Sequence, residues 1–280
     1  MSLWQREATV VGVGLSGVAW QRGDAPVVHL DAPVVGVAAT LLARPKDFLE
    51  ALCSQLQETL RAIGRPPKRV MLADAFARYW LMSPPAAVVS LGELQHTAAA
   101  RCSQLFGGSP AEWHVAGDWH ATRPFLCTAV PRWTIDMVQQ AFGRDPRIDP
   151  LLSAVMSALA PSLPSDGWFC LGTPHYAMMA STKAGHIASL RVMPLGAAAS
   201  AAERLSTIGV ELEREAMRHQ TPLSDGAVWA SLDADDVPEL LAGGVTFRRI
   251  DHVAAVPAPL RASDAMVAAW SAMALVRRNR

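Results

Sequence analysis

The chain has 280 residues, 51% of them hydrophobic, so it is long enough to bury one large core or two moderate ones. Its 25 basic and 25 acidic residues cancel, which argues against a dedicated nucleic-acid binder or a polybasic membrane surface. A net charge near zero favours association with other proteins. We therefore expect a globular protein with protein partners and no nucleic-acid partner.

The cysteines do not form a metal-binding pattern, because no C-x-x-C pair and no histidine at ligand spacing accompanies them. They are Cys53, Cys102, Cys127 and Cys170. We expect buried thiols in a reducing compartment, with a zinc site as the weaker alternative. Residues 1–7 lack the layout of a signal peptide, and no run reaches the roughly 18 apolar residues of a membrane-spanning helix. These features predict a soluble cytoplasmic protein.

Taken in order, the first half begins with three short strands joined by tight turns, at 10–13, 18–20 and 27–30. Such an antiparallel meander is typical of the start of an RNase H-like unit. The elements that follow are a helix from Pro45 to Ile63, a parallel strand at 69–73, a helix at 91–105, strands at 113–115 and 125–130, a helix from Pro131, and a helical or mixed stretch at 148–159.

The second half repeats this order. Three strands are predicted within 167–193, and a helix with apolar residues at helical spacing follows at 198–219. The remaining predicted elements are a strand at 227–230, a short helix at 237–241, a strand at 245–248 and a terminal helix at 263–277. A chain that repeats its own plan halfway is predicted to contain two copies of one α/β unit.

The stretch from Gly12 to Gly17 formally matches the dinucleotide fingerprint G-x-G-x-x-G. That motif must open a long helix, whose N-terminus holds the pyrophosphate. Here the following residues are strand-like and are broken within about six positions, so we predict a hairpin turn. No Walker loop and no G-x-S-x-G elbow occurs in the sequence.

Two polar groups of residues are ambiguous. His114, Asp118 and His120 have a spacing that suits a metal on a β-turn, although turn residues at a hairpin tip explain it better. Arg78 is the charged residue of an apolar, aromatic run, and we expect it to pair with Asp74 or another carboxylate, with a partner-binding surface as the alternative.

The duplicated order resembles the actin-like cytoplasmic platform proteins of type IV pilus and type II secretion machines, the PilM and GspL kind. The segment 70–81, in which a strand runs through a small-residue loop into an Arg-aromatic pair, is similar to the secretion-type members. So are the residues around 99–107 and 112–113, and the turn at 129–133 that leads into a helix.

This resemblance implies a duplicated RNase H-like (actin-like ATPase) fold with two similar mixed-sheet halves. We expect the first half at 1–160, with an inserted subdomain around 75–125, and the second half at 161–280, with its terminal helix packing back. Active members of the superfamily carry an aspartate two residues before a hairpin glycine in each half. Alignment on Gly14 and Gly172 places Gly12 and Cys170 at those positions.

The same alignment places Ala19 at the lysine position of the pilus-type members, and the nearest adenosine-loop candidate is the short Gly243-Gly244. Phosphoryl transfer without these groups lacks its metal anchor and its oriented water. The resemblance therefore implies a degenerate nucleotide cleft, no cofactor and no catalytic residues. The predicted cleft residues are Gly12, Gly14, Gly172, Gly243 and Gly244.

We therefore predict a non-catalytic scaffold at the inner face of the inner membrane. The resemblance implies an inner-membrane platform protein and an assembly ATPase as partners, with contact to the membrane through partners and homo-oligomerisation as a further option. The chain ends at Arg280, so we expect a stand-alone or a truncated form. The alternatives are an actin-like ATPase or kinase that binds ATP and magnesium through substitute ligands such as Asp74 or Asp118, and an unrelated α/β protein.

Overall fold

The computed structural model describes residues 9–23, 25–31, 46–86, 90–173, 175–195, 201–223, 227–231, 240–242, 245–249, 267–269 and 271. The helices are α1 (Lys46–Ile63), α2 (Leu91–Phe106), α3 (Arg132–Phe142), α4 (Leu151–Leu159) and α5 (Ala201–His219). The strands are β1 (Thr9–Gly14), β2 (Gly17–Arg22), β3 (Val28–Asp31), β4 (Arg69–Leu72), β5 (Arg78–Met82), β6 (Trp113–Gly117), β7 (Phe125–Pro131), β8 (Arg147–Pro150), β9 (Gly167–Gly172), β10 (Tyr176–Lys183), β11 (His186–Pro194), β12 (Ala227–Ser231), β13 (Leu240–Ala242) and β14 (Val245–Arg249).

Two mixed sheets have corresponding strand orders. The first is β3-β2-β1-β4-β8 and the second is β11-β10-β9-β12-β14-β13. Each contains an antiparallel three-strand meander, to which two further strands are added in parallel. In the second sheet β13 is an additional antiparallel edge strand. The repeat predicted from the sequence is therefore a repeat of topology.

The first sheet is covered on both faces. One face carries Val11 and Val13 and packs against α1 and α3. The helix α1 forms because its apolar residues recur at helical spacing, and Phe48, Leu52 and Leu56 are each at most 1% exposed. The other face contributes Val10 and Met71 to a second cluster, together with α4 and the second sheet; we call this cluster the shared core.

The second sheet is also covered on both faces. Phe169 and Leu171 of β9 face the shared core, where they meet α4. Trp168 and Cys170, on the opposite face, pack against Leu205, Ile208 and Leu212 of α5. The helix α4 therefore lies between the two sheets.

A separate three-stranded antiparallel sheet, β5-β7-β6, follows β4 in the chain. The helix α2 packs on it through Leu94, Ala98 and Cys102, against Trp80 and Trp113 among others. The hydroxyl of Ser90 caps α2 by accepting from the Glu93 amide at 3.2 Å. The strand β11 of the second sheet lies beside β5, so this small sheet contacts the second half.

Two predicted elements differ from the structure. The stretch predicted as helical or mixed at 148–159 is a strand followed by a helix, because β8 adds to the sheet edge beside β4 before α4 begins. The helix predicted at 237–241 is wrong at its described end, where Leu240–Ala242 forms an edge strand paired with β14. The terminal helix predicted at 263–277 is described at 267–269 and 271, which are helical.

Candidate functional site

The hairpin β1–β2, which carries the first two glycines of the predicted cleft, closes on a two-residue turn. Gly14 pairs with Gly17, so Leu15 and Ser16 form the turn. Gly17 has a φ of 139°, a conformation that side chains rarely adopt, and glycine is required there. The turn is therefore a tight, two-residue link between the two strands.

Gly12 lies directly opposite Ala19 in the register of this hairpin. Ala19 is fully buried and packs with Ala269, one of the described residues of the terminal helix. The position that the family alignment gives to a lysine therefore carries a methyl group in a helix–sheet contact. No charge is available at Ala19 to bind a phosphate.

The second hairpin, β9–β10, uses its glycine for packing. A Cβ added to Gly172 would lie 2.4 Å from the ring carbon Cη2 of Trp229, closer than real Cβ contacts allow. Trp229 is 7% exposed and packs edge-on against Phe247, with ring centroids 6.0 Å apart. Glycine is required at position 172 because the indole of Trp229 occupies the space of a side chain.

The turn of the second hairpin is closed by a threonine. The Thr173 hydroxyl accepts hydrogen bonds from the amides of His175 and Tyr176, at 3.3 and 2.9 Å. The Thr173 amide donates to the Tyr176 carbonyl at 2.8 Å. Backbone amides of a turn are the donors with which phosphate-binding loops hold their anion. In this turn they bond to Thr173 and to the opposite strand.

The predicted cleft glycines lie on different faces of their sheets. Gly12 is on the face of β1 toward the shared core, whereas Gly172 is on the face of β9 toward α5. Cys170 shares the face of Gly172, and its complete burial raises the pKa of the thiol. Gly12 and Cys170, which the alignment treats as equivalent, therefore lie on different faces of their sheets relative to the shared core. Gly243 and Gly244 lie outside the described residues.

Asp74 follows β4 in a short 3-10 turn and joins the first half to α4. Its Oδ1 accepts from the Tyr79 hydroxyl at 2.6 Å and from the Leu152 amide, in the first turn of α4, at 2.9 Å. Burial and the adjacent Asp74 carboxylate raise the pKa of Tyr79 well above its usual value. Arg78 instead donates to the carbonyls of Ala75 and Ala77, at 3.2 and 2.8 Å. This carboxylate is therefore a structural cap and not the predicted partner of Arg78.

A large groove lies between the small sheet and α4. Its volume is about 990 Å³. Strands β6 and β7 line one side, α3 and β8 another, and α4 a third, while the turn between β10 and β11 borders one end. The lining is mixed: apolar side chains such as Leu72, Ile148 and Met156 alternate with hydroxyls and ionisable groups.

Several ionisable groups lie along the groove. Desolvation by burial raises the pKa of Asp118, against the opposing effects of the Leu126 backbone hydrogen bond and of Arg123. Desolvation and the nearby Arg132 lower the pKa of His114. The carboxylate of Asp149, in contrast, is neutralised by two arginines, since Arg69 Nε and Arg147 Nε lie 2.9 and 2.8 Å from its Oδ2.

The sequence singled out His114, Asp118 and His120 as a hairpin-tip patch, and the structure places all of them on the groove. The groove itself was missed, because its other walls come from α3, β8 and α4, which are distant in the chain. Within the described part of the chain no group of three His, Cys, Asp or Glu side chains is arranged to hold a metal ion. The described residues also contain no helix both long and apolar enough to cross a membrane.

No protein-family model and no curated protein matches the sequence. Solved structures match the fold over nearly the whole chain. A chain of the PilM–PilN type IV pilus biogenesis complex is 15% identical and covers 98% of this chain and 98% of its own length, with a TM-score of 0.58. The cytoplasmic domain of EpsL, an inner-membrane component of the type II secretion system of Vibrio cholerae, is 12% identical and covers 95% and 94%, with a TM-score of 0.51.

At these identities the likeness shows the fold. It confirms the predicted actin-like, duplicated RNase H-like architecture, and it confirms at the level of fold the resemblance to PilM and to the secretion-type platform proteins. The predicted cleft residues, in contrast, stay a prediction, because the likeness says nothing of individual side chains.

Proposed function

We propose that this chain is a non-catalytic, actin-like scaffold of a type IV pilus or type II secretion assembly platform, held at the inner face of the inner membrane by its partners. In this proposal a short cytoplasmic tail of an inner-membrane platform protein binds in the groove beside α4. An assembly ATPase is the second partner. The fold shared with two components of such machines supports the proposal.

The observation that carries the proposal is the groove. Its volume of about 990 Å³ lies at the upper end of the range for ligand pockets, and its walls are formed by strands and helices. Apolar side chains of its lining can bury the apolar residues of a peptide, while His114 and Asp118 can pair with its polar groups. A peptide segment suits this lining better than a small, uniformly polar metabolite does.

The hairpins support the non-catalytic part of the proposal. Neither Gly12 nor Cys170 can anchor a metal with a carboxylate, and Ala19 provides no charge. Thr173 already accepts the turn amides that a phosphate would need. Each of these features removes one requirement of phosphoryl transfer.

The binding half is tested with labelled peptides of the first 25 or so residues of each bitopic inner-membrane protein encoded with the apparatus, by fluorescence anisotropy. Ser157→Arg places a long cation on the groove wall of α4. Ser54→Arg makes the same change at an exposed position of α1, away from the groove. We expect one peptide to bind with a micromolar Kd, and Ser157→Arg to weaken it at least about tenfold.

If the peptide binds both arginine variants with equal affinity, the groove is not its binding site. If no tail peptide binds the wild-type chain, the proposal that this groove binds the tail of an inner-membrane protein is wrong.

The non-catalytic half is tested by titrating the chain with a fluorescent ATP analogue and magnesium while phosphate release is followed in the same sample. We expect neither saturable binding nor release. Turnover would establish the alternative, an ATPase or kinase with substitute ligands. Binding without turnover would replace the proposal by a nucleotide-gated scaffold.

A further inference from the structure

One end of the groove is bridged by a contact between two parts of the chain that are far apart in sequence. Arg123 lies in the loop between β6 and β7, and His186 lies at the turn between β10 and β11. The Arg123 guanidinium Nη1 and the His186 Nε2 are within hydrogen-bonding distance, and both side chains line the groove. The contact therefore joins the β6–β7 loop to the β10–β11 turn at the groove.

The His186 side of this bridge is held in place by its own neighbours. The Gly185 amide donates to the Ser165 carbonyl at 2.7 Å, and the Ala184 amide donates to Asp166 Oδ1 at 3.1 Å. Ala184 and Gly185 have φ values of 50° and 75°, typical of a tight hairpin turn. The turn is thus fixed to the segment that leads from α4 into β9.

The Arg123 side is a longer connection. Residues 118–124 join the two strands, and Trp119 within them has a φ of 43° and packs on Phe125 with ring centroids 5.9 Å apart. Arg123 and its neighbours at 121–124 are exposed. An exposed loop of this length moves more readily than the short turn opposite it.

We propose that the Arg123–His186 contact is a latch that closes one end of the groove and opens when His186 is protonated. A guanidinium nitrogen can only donate, so the imidazole Nε2 must accept and must carry no proton. Protonation of Nε2 removes the acceptor and places two cations face to face. One uncharged histidine therefore holds the β6–β7 loop against the β10–β11 turn, and one proton releases the loop.

The charged and titratable groups on the elements that meet here are compatible with this reading. His114, Asp118 and His120 lie on the β6–β7 side, Lys183 on the β10 side, and Asp166 on the segment before β9. Asp166 accepts the Ala184 amide and so positions the turn. Asp118 lies close enough to Arg123 for the guanidinium to act on its pKa, so it is the carboxylate to which the arginine can turn when the latch opens.

The latch is tested in the free, full-length chain by hydrogen–deuterium exchange of the segments 118–124 and 183–188, corrected for the intrinsic effect of pH. At about pH 7.5, Arg123→Ala and His186→Ala should raise exchange about threefold in both segments. His186→Gln keeps an acceptor and should exchange like the wild type. His96→Gln, at an exposed position of α2, is the matched control.

At about pH 5.5 the wild type should exchange like Arg123→Ala, whereas His186→Gln should stay protected because its amide does not titrate. Equal exchange of the wild type and Arg123→Ala at both pH values would overturn the latch. So would a His186→Gln variant that opens with acid as the wild type does.

The consequence for binding rests on the proposed function, and it is measured separately. An open latch should raise the association rate of a groove-binding tail peptide in Arg123→Ala relative to His96→Gln. A chain that shows the exchange pattern but binds no tail peptide would overturn the proposed function and leave the latch standing. An unchanged association rate in a chain that binds the peptide would overturn the role of the latch in access.

Discussion

The two hairpins at the starts of the two sheets have the same topology and are stabilised differently. In the first, Gly12 and Ala19 lie side by side beneath a helical contact with Ala269. In the second, Gly172 lies beneath the indole of Trp229, and Thr173 closes the turn. Similar strand orders therefore do not imply similar roles for glycines that occupy similar places in the pattern.

Two sheets of corresponding strand order can therefore place the glycines of their first hairpins in different packing environments. A nucleotide between two hairpins needs donors and carboxylates that converge from both. Here one hairpin is used for helix packing and the other for aromatic packing. The groove beside α4, in contrast, is lined by both polar and apolar side chains and encloses about 990 Å³.

The largest effect on stability is expected at Asp74, which accepts a hydrogen bond from α4, the helix between the two sheets. Asp74→Ala removes the acceptor of the Tyr79 hydroxyl and the Leu152 amide, both buried, and should lower the free energy of unfolding by about 3 kcal/mol. Urea denaturation followed by circular dichroism measures this. Asp145→Ala, at an exposed position, should change it by less than about 0.5 kcal/mol. Equal stability of the two variants would show that Asp74 does not join α4 to the first half.

The second prediction concerns the glycine under Trp229. Gly172→Ala places a methyl group where the indole lies, and the resulting overpacking should cost about 2 kcal/mol. Gly92→Ala is the control: no atom lies within 4 Å of its Cβ position, and alanine favours a helix. Thermal unfolding should rank the Gly92 variant at or above the wild type and the Gly172 variant well below it. A tolerated Gly172→Ala would mean that packing does not require this glycine.

The third prediction concerns the turn of the second hairpin. Thr173→Val keeps the shape of the side chain but removes the hydroxyl that accepts two amides, and should cost about 1 to 2 kcal/mol. Thr207→Val, on the exposed face of α5, should be nearly neutral. If denaturation shows no difference between these variants, the Thr173 hydroxyl does not stabilise the turn. The two hairpins would then not differ in this respect.

The smallest effect is expected in the groove, as a dependence of stability on pH. The folded chain lowers the pKa of His114, chiefly by desolvation, so protonation favours the unfolded chain. The free energy of unfolding should therefore fall as the pH drops through about 6.5, the pKa of a histidine in an unfolded chain. The decrease should be less than about 1 kcal/mol, because the imidazole keeps contact with solvent. Asp118 has the opposite effect on stability, because its pKa is raised in the folded chain and its protonation therefore favours folding. Its effect falls at lower pH than that of His114.

Urea denaturation at about pH 7.5 and about pH 5.5 measures this difference in the wild type and in His114→Gln. The variant should lose part of the pH dependence of the free energy of unfolding. An unchanged pH dependence would assign it to other groups.

Much of the fold follows from local patterns. The helical spacing of Phe48, Leu52 and Leu56 agrees with the predicted helix α1, and Gly64, with a φ of 72°, follows its last residue. The helix at 91–105 and the strand at 227–230 were predicted within about one residue of α2 and β12. The strand β8 was missed, because four residues that include a proline resemble the start of the helix that follows them.

The candidate site was harder to predict. The polar residues of the β6–β7 hairpin could be found because they cluster in the sequence. Their partners across the groove, in α4 and at the β10–β11 turn, could not, because chain separation conceals the contact between Arg123 and His186. The sequence thus located one wall of the groove without locating the groove.

The amino-acid sequence was enough to predict most of the helices and strands and the duplicated order of the two halves. Tertiary structure alone decided which way each hairpin faces. Every residue of β1 is buried, and so are five of the six in β9, since both sheets are covered on two faces. Strands buried on both sides lose the alternation of polar and apolar residues that would reveal their inner face. The faces of Gly12 and Gly172 are therefore set by the helices that pack on each side.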